Sequence, residues 1–432
     1  MKILLIKPRW FVRGGVYRFL ETIRFTPLNL CILAALSDGH DVRIVDLDWQ
    51  ELPENESFDL VGITVTTFTS EQAFEIADMF RSKGSKVVMG GVHASLMPDE
   101  CLLHADSVVV GEGEYVWKEL LEDAAGAGMK KVYRSEKVTD MDDIPAPRRD
   151  LIQPDRLVGF LEATRGCPNH CKFCYLTSMP WAKHRKRNIR LVLKELETLP
   201  QKIVFFVDDN LFADESYAAE LFESMKPLKK LWSVQAPTTI ARNRRLLEKM
   251  AESGCFNLQM GFQTVSRKSL DWAQIRHNQV EEYREVVRTL HGFDILVSAF
   301  IMFGFDDDDP EVFDRTFEFI READIDDVHM YILTPYPGTE LFREMKEQGR
   351  LLPGRNRRSF GWGNATFIPK QMSPEELEQG VAECYKKLYP HFLKTLPGRL
   401  LKRLPRLIRD PQLLQLLVAG SLRRPSLGKS RA

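Results

Sequence analysis

The chain has only seven cysteines in 432 residues, an odd number unevenly spread. That excludes the disulfide framework of a secreted fold and points to a reducing cytoplasm. It has no surplus of charge either: 60 basic against 61 acidic side chains leave −1, so nothing draws it to nucleic-acid phosphates. No apolar run approaches the roughly 18 residues of a membrane-crossing helix. Met1 to Ile6 is too short for a secretory leader and runs at once into Pro8 and Arg9. Length alone suggests two or three domains.

What is present is concentrated. Cys167, Cys171 and Cys174 fall in the stretch Arg165-Gly166-Cys167-Pro168-Asn169-His170-Cys171-Lys172-Phe173-Cys174-Tyr175, with no fourth cysteine or suitably spaced histidine soon after. Three thiolates leave one metal position open, which suits an iron–sulfur cluster with a free iron; structural zinc normally takes four protein ligands. His170 reads as a solvated neighbour within the loop.

Before this loop, short apolar runs alternate with helical stretches. Strands are expected at Lys2 to Lys7, Asp41 to Leu47, Leu60 to Val65, Lys86 to Met89 and Ser107 to Val110, with helices at Pro27 to Ser37, Ser70 to Lys83 and near Asp99. This alternation means a doubly wound, Rossmann-like parallel sheet, which binds ligands outside the carboxyl ends of its strands. Glycines cluster there, at Gly90, Gly91, Gly111 and Gly113, where a missing Cβ admits a large flat ligand. No G-x-G-x-x-G follows the first strand, so the dinucleotide fingerprint is lacking. His40 reads as a turn residue and His93 as a loop hydrogen-bond partner.

A proline-rich, charged linker covers residues 136–156. A second series of six strands then runs Val158 to Ala163, Lys202 to Val207, Leu231 to Ala236, Cys255 to Gly261, Val297 to Gly304 and Asp327 to Leu333. The cysteine loop lies at the carboxyl end of the first, where barrel enzymes place their chemistry. Polar residues mark the other strand ends: Asp208, Asp209 and Asn210, then Gln235, then Gln263. The acids Asp306 to Asp309 read as a solvated helix start. Beyond Gly354 lie an aromatic loop with Phe360 and Trp362, a helix capped by Ser373, and a tail, 391–432, holding ten lysines and arginines and one acid. Such a basic, leucine-interleaved tail suits an anionic membrane surface.

The Cys-x3-Cys-x2-Cys spacing with Phe173 before the third cysteine resembles the radical S-adenosylmethionine (SAM) enzymes, and the first segment resembles the cobalamin-binding domain found in front of many of them. The resemblance implies an α/β chain: a cobalamin-binding Rossmann-like domain in 1–135, the linker, a partial (β/α)6 TIM-type barrel in 157–345 and a mostly helical carboxyl-terminal region in 346–432. It implies three cofactors: a 4Fe-4S cluster on Cys167, Cys171 and Cys174, SAM, and cobalamin. Asp208, Asp209 and Asn210 would face the SAM amino group, Gln235 and Gln263 its ribose and amino-acid portion, and Gly304 its adenine. Thr64, Gly90, Gly91, Gly111 and Glu112 would meet the corrin. Two departures stand out. The loop from Arg9 to Phe25 has no histidine to ligate cobalt from below, and Gln263 replaces the family's usual glutamate.

The implied activity is methylation of an unactivated carbon of a small, hydrophobic molecule, through a 5′-deoxyadenosyl radical and methylcobalamin. An external electron donor such as flavodoxin or ferredoxin is implied, with no nucleic-acid partner and with peripheral membrane contact through the tail. No residue is singled out as a catalytic acid, base or nucleophile. Non-methylating cobalamin radical chemistry and a noncatalytic corrin or metal carrier remain alternatives. A methylthiotransferase would need a second cysteine triad in the first domain, which holds only Cys31 and Cys101.

Overall fold

The computed structural model describes residues 1–10, 25–126, 128–152, 157–179, 181–353 and 363–403. Strand β1 (Lys2–Lys7) carries Ile3, Leu4, Leu5 and Ile6, all fully buried. Because successive strand side chains point to opposite faces, they feed two cores. Ile3 and Leu5 join α1 (Leu28–Ala35) on one side. Leu4 and Ile6 join the other side with Ala73, Phe74, Ile76, Ala77 and Phe80 of α2 (Ser70–Ser82). A strand apolar on both faces thus forces helices onto both faces.

The module continues through β2 (Asp41–Asp46), β3 (Leu60–Thr64), β4 (Lys86–Gly90), α3 (Val92–Leu96), α4 (Pro98–His104), β5 (Ser107–Val110), α5 (Trp117–Ala125) and β6 (Val132–Arg134). The strands are parallel in the order β2-β1-β3-β4-β5-β6. The order reverses between β1 and β3, and a crevice opens at the carboxyl ends beside such a switch point. Sequence periodicity did not indicate β6: three residues at a sheet edge, with only Tyr133 buried, are too short to show a pattern. The linker is not a free tether. Met141 and Ile144, two apolar residues in an acidic run, are buried with Leu28 and Ile32 of α1.

The second sheet begins at β7 (Val158–Leu161). A small antiparallel pair, β8 (Thr164–Arg165) with β9 (Arg185–Lys186), frames the cysteine loop. Then come α6 (Ile189–Thr198), β10 (Ile203–Phe206), α7 (Glu215–Met225), β11 (Leu231–Ala236), α8 (Arg244–Glu252), β12 (Cys255–Gln263), α9 (Arg267–Trp272), α10 (Tyr283–His291), β13 (Leu296–Phe303), α11 (Val312–Glu322) and β14 (Asp327–Ile332). The order β14-β13-β12-β11-β10-β7 is sequential and parallel, and among the described residues β7 and β14 do not pair. The sheet is therefore an open six-strand barrel, with all carboxyl ends at one rim. Its helices start on caps such as Asp214, which accepts from Tyr217 N–H at 3.0 Å, and Asn243, which accepts from Leu246 N–H at 3.0 Å; each satisfies an otherwise orphaned donor. Trp232 anchors the core, stacked on Phe222 at 4.5 Å with its edge toward Phe206 at 5.8 Å.

Two further helices close the described chain, α12 (Glu340–Glu347) and α13 (Pro374–Arg403). Ser373 caps α13 as expected, and Glu376 answers it to make a capping box, with reciprocal bonds of 3.1 and 2.7 Å. Leu377, Val381, Cys384, Tyr385 and Leu388 of α13 are buried in the barrel core. Phe360 and Trp362 lie outside the described residues, as does the tail beyond Arg403.

Candidate functional site

The switch-point crevice opens onto a cavity of about 460 Å³ that also takes in the cysteine side of the barrel. Thr64, Gly90, Gly91 and Gly111 form one wall, and Glu162, Tyr175 and Asp209 another. Both sets of strand ends therefore face one space. Gly91 has φ +95°, and a Cβ there would lie 2.9 Å from the Val65 carbonyl oxygen, so only glycine keeps this wall flat. The Thr64 hydroxyl receives the Asn29 amide at 2.9 Å.

The turn after β10 grips the chain that leads to the cysteines. Asp208, 1% exposed, accepts the Ala163 N–H at 3.2 Å and the Thr164 hydroxyl at 2.7 Å, together with the Thr164 N–H. Asp209 accepts the Gly166 N–H at 2.8 Å. Asn210 donates to Cys167 Sγ at 3.5 Å, while its own buried Oδ1 has no partner among the described residues. The resemblance placed all three opposite SAM. Instead, Asp208 uses both oxygens on loop backbone and the Thr164 hydroxyl, because buried N–H groups must find acceptors. Asp209 spends one oxygen on Gly166 and also lines the cavity, and Asn210 keeps its vacant Oδ1. Burial pushes the Asp208 carboxyl up to about 7 and also raises Asp209.

The cysteine thiols are partly buried and unpaired by disulfides. Burial, then the neighbouring thiols, push Cys171 up to about 12, and burial carries Cys174 to about 11. Bound iron reverses this, since a coordinating thiol loses its proton outright. Among the described residues no three His, Cys, Asp or Glu side chains are grouped to hold one metal ion. The chemistry of the donor set, three soft thiols on one loop, fits a cluster with an open iron. His170 is exposed, as expected.

Gly166 decides where the first of these sulfurs lies. Its φ is +88°, and a Cβ would run into the backbone oxygens of Lys183 and Ala182, just where Cys167 N–H bonds the Ala182 carbonyl at 3.0 Å. Gly166→Ala should lower iron retained after anaerobic reconstitution by at least about tenfold through strain of roughly 1–3 kcal/mol plus the backbone clash; iron assay on the purified variant checks it.

Other expected site residues are placed as follows. Gln235 is exposed near the carboxyl end of β11, between the buried Val234 and Ala236. Gln263 has φ +67° beside a register shift in β12 and turns its amide back over Gly261. Gly304 has φ +98°, and a Cβ there would meet Leu377 and Phe367 of the carboxyl-terminal region, as one on Gly111 would meet the Trp181 ring. Glu112 has no free carboxylate for the corrin: burial raises its pKa, but bonds from Arg185 and Arg165 outweigh this and hold it lowered. His93 is fully buried, with Nδ1 at 3.3 Å from Thr67 and Nε2 at 3.4 Å from Glu100. The acidic run is structural: Asp306 pairs with Arg350 and Lys370 at 2.7 Å each, and Asp308 accepts the Gly304 and Phe305 N–H groups.

Sequence reasoning missed a polar wall inside the barrel. Ser233, Asn257 and Ser298 are linked by bonds of 3.0 Å, and Asp327 meets His329 at 3.0 Å. The signal was available as alternation along β14, where Asp327, His329 and Tyr331 interleave with Val328, Met330 and Ile332; a parallel strand buried on both faces would be apolar throughout.

Residues 161–320 match the Radical SAM superfamily, and residues 24–121 match the B12 binding domain. The chain is 32% identical over 396 residues to the bacteriochlorophyllide d C-12(1)-methyltransferase of Chlorobaculum tepidum, spanning 86% of this chain and 85% of that one. The chain belongs to the cobalamin-binding radical SAM enzymes. It is 27% identical to the bacteriochlorophyllide d C-8(2)-methyltransferase of the same organism, over 74% of this chain and 76% of the other. In fold it is similar to the radical SAM methyltransferase TsrM of Kitasatospora setae, solved with tryptophan substrate and a SAM analogue, at TM-score 0.67 and 17% identity over 88% and 82% of the two chains.

The cofactors of this radical SAM enzyme are a 4Fe-4S cluster, SAM and cobalamin. Among the described residues no helix is long and apolar enough to cross a membrane.

Proposed function

We propose that the enzyme methylates an unactivated carbon of a small hydrophobic molecule, with a flat tetrapyrrole as the first substrate class to test. The observation that carries this is the single cavity shared by the glycine-walled crevice and the cysteine side of the barrel. The relatives' tetrapyrrole substrates supply the class. Cys167, Cys171 and Cys174 would hold the cluster; Asp209, Asn210, Gln235, Gln263 and Gly304 would meet SAM; Thr64, Gly90, Gly91 and Gly111 would flank the corrin. When bound, these groups supply reductive cleavage of SAM to an abstracting radical and a transferable methyl group. The chain's own share is binding, orientation and exclusion of water.

Protein purified without oxygen from cells supplied with cobalamin should contain about four irons, one cubane, and one cobalt. Incubated with SAM, a low-potential donor and bacteriochlorophyllide d, it should give product heavier by one methylene. A product altered without added carbon would favour non-methylating chemistry, and zinc alone would remove the enzyme reading. A small acidic protein such as flavodoxin or ferredoxin is the proposed electron donor.

Gln263→Glu restores a carboxylate opposite the SAM ammonium, and charge-assisted bonds are about twice as strong as neutral ones. Equilibrium dialysis should show tighter SAM binding; looser binding would remove Gln263 from the SAM site.

The basic tail is proposed to touch anionic membrane surface. A chain ending at Pro390 keeps the buried residues of α13 up to Leu388 yet loses the tail, and should no longer sediment with phosphatidylserine vesicles. Equal sedimentation by both chains would sink the idea.

A further inference from the structure

Arg165 stands two residues before the first cluster cysteine, yet its guanidinium is spent across the cavity. It grips Glu162 with Nε at 3.1 Å and Nη2 at 2.8 Å, and its Nη1 reaches Glu112 at 3.0 Å and Glu114 at 2.9 Å. Glu112 and Glu114 belong to the turn after β5, in the cobalamin-binding module. From β9, on the other flank of the cysteine loop, Arg185 takes both oxygens of Glu112 at 2.7 and 2.9 Å. It also donates to the Thr139 carbonyl at 2.8 Å, and Glu112 accepts the Thr139 N–H at 3.0 Å.

One carboxylate therefore holds both strands that frame the cysteine loop. These side chains are only 8% (Glu112), 17% (Arg165) and 14% (Arg185) exposed. Forked arginine–carboxylate contacts of this kind fix direction as well as distance. A lone point charge, or the linker, would allow rotation about the contact.

We propose that Glu112 is a positioning residue that sets the cluster relative to the corrin, by clamping β8 and β9 to the glycine turn of the first module. The turn that flanks one cofactor thus also holds the loop that carries the other. Removing the clamp frees the loop without removing any cluster ligand.

Hydrogen exchange on the full, metal-free chain tests the clamp. Glu112→Gln keeps the shape and loses the charge. It should raise amide exchange at residues 163–168 and 182–186 by about tenfold or more, while β11 to β13 stay unchanged, as expected for a local opening. Arg185→Lys breaks the same fork from the opposite side and should give the same pattern, even if the first variant folds poorly. In the fraction loaded with both metals, the dipolar coupling between cob(II)alamin and the reduced cluster should spread from one distance to a distribution. Unchanged exchange in both variants, or an unbroadened coupling in Glu112→Gln, overturns the proposal. The coupling alone rests on the two-cofactor function proposed above; a chain that takes up no cobalt counts against that function, whereas the exchange result still decides the clamp.

Discussion

Replacement of Cys171 by alanine is expected to give a folded protein that retains almost no iron and cleaves no SAM. The fold should survive because the loop has anchors besides its sulfurs. Lys172 N–H bonds the Ala273 carbonyl at 3.1 Å, and its buried ammonium meets Glu344 at 2.6 Å and lies 4.3 Å from the Trp272 ring centroid. Removing a partly buried thiol from such a loop should cost stability on the order of 1 kcal/mol. The chemistry has no such reserve, since a three-cysteine site that loses one ligand no longer holds a cubane with a single open iron. Iron assay, the charge-transfer absorbance of the cluster and 5′-deoxyadenosine release all read the result. Full iron in the variant would mean that another group ligates.

Asp208→Ala is expected to destabilise the protein by roughly 3–5 kcal/mol, because it strips the acceptor from three buried donors at about 1–3 kcal/mol each, only partly additive. Asp208→Asn should cost much less and should also change the pH profile. The folded-state pKa of Asp208 is raised by burial from 3.8 to about 7. The folded protein therefore binds this proton more tightly than the unfolded chain. The resulting stability is fully present below about pH 4 and is lost as pH rises through about 7, by roughly 4 kcal/mol in all. In Asp208→Asn that downward contribution between pH 4 and 7 should vanish from urea melts compared at matched ionic strength. An unchanged slope would mean that the carboxylate is already ionised and is held by its three donors.

Part of the fold was legible because its signals are local. Ser107–Val110 and Leu231–Ala236 are strands over the residues expected, since a short apolar run between turn residues has few other uses. The cap at Ser373 was legible for the same reason. Edge strand β6 and the docking of Met141 and Ile144 were not, because each depends on a neighbour far away in sequence. At the site, the cysteine triad could be read from spacing alone. The commitment of Asp208 and Glu112 to protein partners could not, because a carboxylate at a strand end looks the same whether it awaits a ligand or an arginine.

The sequence by itself determined the two parallel α/β modules, the three-cysteine loop with its open metal position and the lack of a histidine after the first strand. These follow from periodicity and spacing, which act within one element or one turn. Only the tertiary structure decided which polar groups are spent and which face the cavity. Glu112 meets Arg165 across 53 positions and Arg185 across 73, and such pairing depends on how the two sheets abut, because a buried charge settles on the counter-charge that packing brings within reach.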